Sequence, residues 1–322
     1  MSRDALERHQ VWIYLGAILC GLAAGALWPA LAPGFEALLW PTLAVLLYAT
    51  FVQVPLLQVG AAFRDRRFTL AVLLGNFVLI PLLVWLCLPL LPDDPALRLG
   101  VLLVLLVPCT DWFISFCQLG RGHTAKAIAI TPLNLLAQLL LLPVYLWLML
   151  PANALDTTEI MARLLPAALG LIVLPLVLAG VTERWIDAAR PRAVWRTRLT
   201  WWPVPLLAVV VLMIAGAQVN TVLSAGPALL AVLPVFVAFL LVTSLLARLV
   251  ARVMRLPLEE GRTLAFTMGT RNSFVVLPLA LALPAGWETA AVVIVFQSLI
   301  ELFGMLLFLW WVPQVLFRNK TT

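Results

Sequence analysis

Cys109, Asp111, Arg271 and Glu301 each stand inside a long, mostly apolar stretch of the chain. If such stretches cross a membrane, a charge at mid-depth costs about 2.5–3.5 kcal/mol, so each acid or base there needs a reason. Three kinds of chemistry are on offer. A carboxyl can take and release a proton. A guanidinium pairs with carboxylates and planar oxyanions. A thiol beside a helix break can contact a thiophilic solute. Polar neighbours lie close in sequence: Thr110 beside Cys109, Asn272 and Ser273 beside Arg271, and Gln297 a turn before Glu301. Asn134 and Gln138, also a turn apart, sit in another apolar run. Asp111 and Arg271 can form a buried ion pair that ties their segments together, and such a pair can also shape a site. Glu301 is then left with no basic partner. It is either a proton carrier or a structural acid held by hydrogen bonds.

The elements that position these residues follow from composition. Of 322 residues, 64% are hydrophobic and 11% charged, against roughly 25% charged in soluble domains. That scarcity excludes a soluble enzyme, a nucleic-acid binder and a disordered chain. Apolar runs of about twenty residues also argue against a β-barrel, whose strands alternate over about ten. The fold class is an all-α polytopic membrane protein.

Ten spans are expected, at 11–31, 37–59, 69–91, 99–117, 127–151, 164–185, 201–221, 229–250, 263–284 and 289–313. Eighteen of the 21 Lys and Arg residues fall in the two tails and in alternate loops. Arg98 and Arg163 fall in the other loops, and Arg271 lies within a span. Basic residues favour the cytoplasmic side, so both termini are expected there, with the protein in the plasma (inner) membrane. The net charge of +6 is explained by topology rather than by a polyanionic partner. The first span reads as a retained helix rather than a cleaved signal, and the whole of 1–322 as one transmembrane domain.

Ten spans divide into two sets of five, about 11–151 and 164–313, and an odd number inverts the second set. Inverted repeats are a common plan of secondary transporters. Matching interruptions support it. The fourth span contains Val107-Pro108-Cys109-Thr110-Asp111 and the ninth contains Met268-Gly269-Thr270-Arg271-Asn272-Ser273. Proline cannot donate the helical hydrogen bond, and glycine weakens a helix. In lipid, freed backbone groups are tolerated only inside protein. Spans four and nine are therefore expected to be discontinuous and to cross near the midplane. Depth agrees: at 1.5 Å per residue, Asp111, Arg271 and Glu301 all fall about 18 Å from the outer edge.

No metal or disulfide framework is indicated. The four cysteines, Cys20, Cys87, Cys109 and Cys117, lie in spans without a CxxC pair, and His9 and His123 lie outside the spans. Cys20, Cys87 and Cys117 read as small hydrophobes. No cofactor is expected, and without a His-based metal site or a Ser/His pair within spans, neither is an enzyme.

Pro108-Cys109-Thr110 resembles the PCT motif of the arsenite-efflux permeases. Asn134 resembles that family's helix-five Asn, Ser298-Leu299-Ile300-Glu301 its "PLVE" stretch, and Phe266-Thr267 with Asn272 its "FTAASNN" crossover. Those permeases belong to the bile acid/sodium symporter superfamily, of ten helices in two inverted repeats with helices four and nine broken and crossed. The resemblance implies export of trivalent arsenic, with antimonite or a related arsenical as further solutes, in exchange for protons. Cys109 would contact the metalloid, with Thr110, Asn134, Asn272 and Ser273 around the solute, and Glu301 would carry the proton. Asp111 and Arg271 depart from the family pattern and are assigned to ion coupling with Glu301. Arg271 keeps an anionic solute open beside neutral arsenous acid. A sodium-coupled organic-anion symporter of the same superfamily is the alternative, with Arg271 binding the carboxylate. A passive channel or membrane-embedded sensor is a further one. The expected partners are a small inorganic or organic solute, H+ or Na+ as coupling ion, and membrane lipid.

Overall fold

The computed structural model describes residues 3–110, 112–150, 166 and 169–318. Asp111, most of the 151–168 connection with Arg163, and the last four residues lie outside the described residues. The described residues are helical, with no β-strand among them. We number the α-helices α1 (Arg3–Leu27), α2 (Ala32–Phe51), α3 (Arg66–Leu74), α4 (Ile80–Cys87), α5 (Pro95–Leu105), α6 (Trp112–Leu119), α7 (Thr124–Met149), α8 (Leu174–Asp187), α9 (Ala193–Leu199), α10 (Pro203–Ala217), α11 (Val219–Ser224), α12 (Gly226–Val253), α13 (Leu258–Gly269), α14 (Ser273–Leu281) and α15 (Glu288–Trp311).

Among the described residues, eight continuous stretches are long and apolar enough to cross a membrane: His9–Leu27, Pro29–Phe51, Arg66–Leu90, Thr124–Met149, Leu169–Asp187, Ala193–Ala217, Gly226–Val253 and Glu288–Leu316. The two remaining sequence-expected spans, 99–117 and 263–284, do not appear in that set because each is made of two short helices, α5–α6 and α13–α14. Many large apolar side chains face outward, Leu140, Trp147 and Val253 among the most exposed. A water-soluble fold would pay heavily for such a surface, whereas hydrocarbon lipid suits it.

Helix α1 lies along α10, and α10 also packs on α2, which packs on α8. Glycines allow the first of these approaches. A Cβ on Gly21 would lie 2.2 Å from the Leu212 carbonyl oxygen, and one on Gly25 2.1 Å from that of Gly216. Small residues commonly permit such backbone contact between membrane helices. Around the interrupted segments, α15 packs on α5 and α14, α12 on α13, and α7 on α6 and α13.

Candidate functional site

The site begins with two helices that stop early. Asp94 caps α5, its Oδ1 accepting from the backbone N–H of Ala96 (2.9 Å) and Leu97 (3.2 Å), with Pro95 at the first turn. Pro108 then denies the helix a donor and biases Val107 toward extended backbone. Helix α13 ends at Gly269, and Thr270 turns extended at φ −106°, ψ 141°. Asn272 starts α14, its Oδ1 accepting from the Val275 N–H at 3.3 Å.

The two breaks pair with each other. Pro108 and Arg271 form an antiparallel bridge. The Cys109 N–H donates to the Thr270 carbonyl at 3.1 Å, and the Asn272 N–H to the Val107 carbonyl at 2.8 Å. Asn272 Nδ2 adds a bond to Thr110 Oγ1 at 2.8 Å. Backbone groups released by each break are thereby satisfied by the other, as burial requires.

Glu301, fully buried on α15, accepts three N–H groups. Trp112 Nε1 donates to Oε1 at 3.1 Å. The Arg271 backbone N–H and Gln297 Nε2 both donate to Oε2 at 2.9 Å. Ser273 Oγ lies 3.5 Å from Gln297 Oε1 and extends the chain. One peptide unit is shared: the Thr270 carbonyl receives Cys109, and the N–H of the same peptide bond, on Arg271, reaches Glu301. The cysteine backbone and the acid are separated by a single peptide plane.

Arg271 is the largest fully buried side chain. Its Nη2 donates to Asn76 Oδ1 (2.9 Å), the Thr267 carbonyl (3.0 Å) and the Met268 carbonyl (2.9 Å), and Nη1 to the Leu105 carbonyl (3.3 Å). The Phe239 ring lies beneath it, 5.6 Å from guanidinium carbon to centroid. No carboxylate pairs with the guanidinium among the described residues. The expected Asp111–Arg271 pair falls outside them. Glu301 has no basic side chain paired with it among the described residues: Arg271 reaches it through the main-chain N–H, while its guanidinium is bonded to carbonyls and the Asn76 amide oxygen. Cys109 is also fully buried.

On α7, Asn134 Nδ2 donates to Thr267 Oγ1 at 3.3 Å, the oxygen that Asn76 Nδ2 also reaches at 3.3 Å. Asn134 Oδ1 and both polar atoms of Gln138 are buried with no hydrogen-bond partner among the described residues. The crossover thus gathers Cys109, Thr110, Asn134, Arg271, Asn272, Ser273 and Glu301 into one bonded neighbourhood. Sequence reading missed Asn76 and Trp112. Asn76 carried a signal, being an amide within the apolar run after Thr69. It sits in a π-helical turn, Gly75–Leu79, a distortion frequent at functional sites.

A second polar cluster lies at one end of the molecule. Lys126 Nζ bonds Glu260 Oε1 at 2.6 Å and also pairs with Asp65 Oδ2. Asp65 caps α3 through the Phe68 N–H at 3.0 Å. The Lys126 hydrogen bond, then the backbone bond from Phe68, hold the Asp65 carboxyl below its ordinary range. Arg262, counted as a loop residue in the sequence, is buried, and Nη2 binds the Phe317 carbonyl at 2.8 Å.

Residues 40–225, more than half of the chain, match the family described as the Sodium Bile acid symporter family. The match includes Cys109 and Asn134 and ends before Arg271 and Glu301. No curated protein matches the chain.

Proposed function

This chain belongs to the sodium bile acid symporter family, whose members move small solutes across membranes with a coupling ion, and we propose that it exports trivalent arsenic in exchange for protons. In this reading Cys109 contacts the metalloid and Glu301 carries the proton. The carrying observation is the peptide unit between Thr270 and Arg271, which receives Cys109 on one face and donates to Glu301 on the other. Protonating Glu301 converts an acceptor into a donor and weakens its hold on the Arg271 N–H. Hydrogen bonds in such a chain polarise one another, so the change reaches the Cys109 backbone through one plane. Proton uptake and solute release then share an element. The unmet Asn134 Oδ1 and Gln138 amide suit a small solute that carries hydroxyl groups, as arsenous acid does. One thiol gives a reversible contact with arsenic, whereas three would hold it too tightly for transport.

The architecture proposed with this function is ten helices in two inverted repeats, in the plasma membrane, with both termini cytoplasmic. Support comes from contacts that recur when the halves are exchanged. α1 on α10 corresponds to α8 on α2, and α5 on α15 to α13 on α7. Likewise α6 on α7 corresponds to α14 on α15, and α12 on α13 to α4 on α5.

Everted membrane vesicles test the transport reading. A proton gradient should drive arsenite accumulation, and Cys109→Ser or Glu301→Gln should each abolish it. Unchanged accumulation in both variants overturns the assignment. A sodium-coupled organic-anion symporter is the second reading, favoured by the family's description. It requires sodium-driven organic-anion uptake that Cys109→Ala leaves unchanged. Against it stands Arg271, whose guanidinium is already engaged by four oxygens and so is poorly placed to receive a carboxylate.

A further inference from the structure

The four oxygens around the Arg271 guanidinium have a common character. Leu105 is the last residue of α5, and Thr267 and Met268 lie in the last turn of α13. Their carbonyls are at the negative ends of two half-helices, where intrahelical donors run out. Asn76 Oδ1 from the third span completes the set at 2.9 Å. All four are neutral, hard oxygens, converging from three segments on one buried point. Carbonyls of unwound backbone and half-helix C-termini are the ligands that bind sodium in transporters with broken helices. Here a side chain of the protein lies on them, with the Phe239 face beneath. The backbone of the same residue is fixed by Glu301 at 2.9 Å and by the bridge to Pro108.

We infer that Arg271 is a tethered cation, filling with its guanidinium the carbonyl-and-amide ligand set that a coupling sodium ion would otherwise occupy. The fixed positive charge neutralises the two converging helix ends throughout the cycle. A free alkali cation at this point would meet both repulsion and ligands already committed. The crossover of this protein therefore needs no sodium, and deleting the guanidinium exposes a latent monovalent-cation site. This inference rests on the transporter reading for its meaning in the cycle, while the site itself can be tested without transport.

The test uses the purified full-length chain in detergent, with thermal unfolding followed in sodium chloride against choline chloride at equal ionic strength. Wild type and Arg271→Lys, which keeps a cation, should show no sodium-specific shift. Arg271→Ala should gain one of roughly 5 °C when sodium exceeds Kd by about a hundredfold. Arg271→Gln is the second variant should the alanine protein fail to purify as a single species. A sodium-specific shift in wild type overturns the inference. So does a well-folded Arg271→Ala or Arg271→Gln protein that ignores sodium. A parallel flux assay in proteoliposomes separates the two levels. Wild-type flux that requires sodium rejects the tethered cation and keeps the transporter. Absence of flux for arsenite and organic anions alike counts against the transport reading and leaves the binding result standing.

Discussion

Glu301 is an acid surrounded by donors: an indole, an amide and a backbone N–H. Hydrogen bonds to a charged group contribute about 1.5–3 kcal/mol each. Trp112→Phe keeps an aromatic ring, though a smaller one, and deletes one of them. If that energy is lost in the transition state, transport slows by roughly ten- to a hundredfold. Initial rates in vesicles check this against protein amount, and an unchanged rate would mean that the indole only packs. The sequence made Cys109, Arg271 and Glu301 legible because polar atoms inside apolar runs are conspicuous. Depth arithmetic could also place them at one level. It could not choose Arg271's partners. An arginine reads as a seeker of carboxylates, whereas its acceptors among the described residues are three carbonyls and an amide oxygen. Carbonyls exist at every position and leave no mark in a sequence. Trp112 was hidden for the opposite reason, as one of 13 tryptophans in an apolar chain.

Helix interruptions were legible as elements, since Pro108 and Gly269 act locally. Close helix pairs were not, because nothing near Gly21 or Gly25 names the distant α10. Gly25→Val should push a side chain into the Gly216 carbonyl, and overpacking of this kind costs about 1–3 kcal/mol. Gly16→Ala on the same helix meets nothing within 4 Å and should be neutral within about 0.5 kcal/mol. Thermal unfolding of the two variants distinguishes the contact from a general intolerance of α1. The Asp65–Lys126–Glu260 cluster joins the cap of α3, the start of α7 and the first turn of α13, segments far apart in sequence. Because the folded carboxyl of Asp65 is held below its ordinary value, its contribution is fully present above about pH 4. That contribution is lost as pH falls through the depressed folded value. Unfolding scans across that acid range should show wild type losing stability relative to Asp65→Asn, with the two curves parallel at neutral pH. A constant gap at all pH values would remove the electrostatic explanation.

For the whole molecule, the proposed orientation rests on the charge count, because basic residues partition by side regardless of how helices pack. Single-cysteine variants at Asp93 and Arg255, in a background free of the native cysteines, test it directly. An impermeant thiol reagent should label position 93 from outside intact cells and reach position 255 only after permeabilisation. Labelling of both from one side would refute the orientation. The proposed division into five and five is a count from the sequence, which says nothing of which helices touch; those contacts come from the fold. Cys109 holds the opposite break through its main-chain N–H, so that bond is indifferent to most side chains at position 109. Nineteen residues can supply that N–H and only proline cannot. If Cys109 contacts the solute as proposed, solute preference can therefore drift by substitution at position 109 while the scaffold stays assembled, so that one frame is open to the evolution of many cargoes.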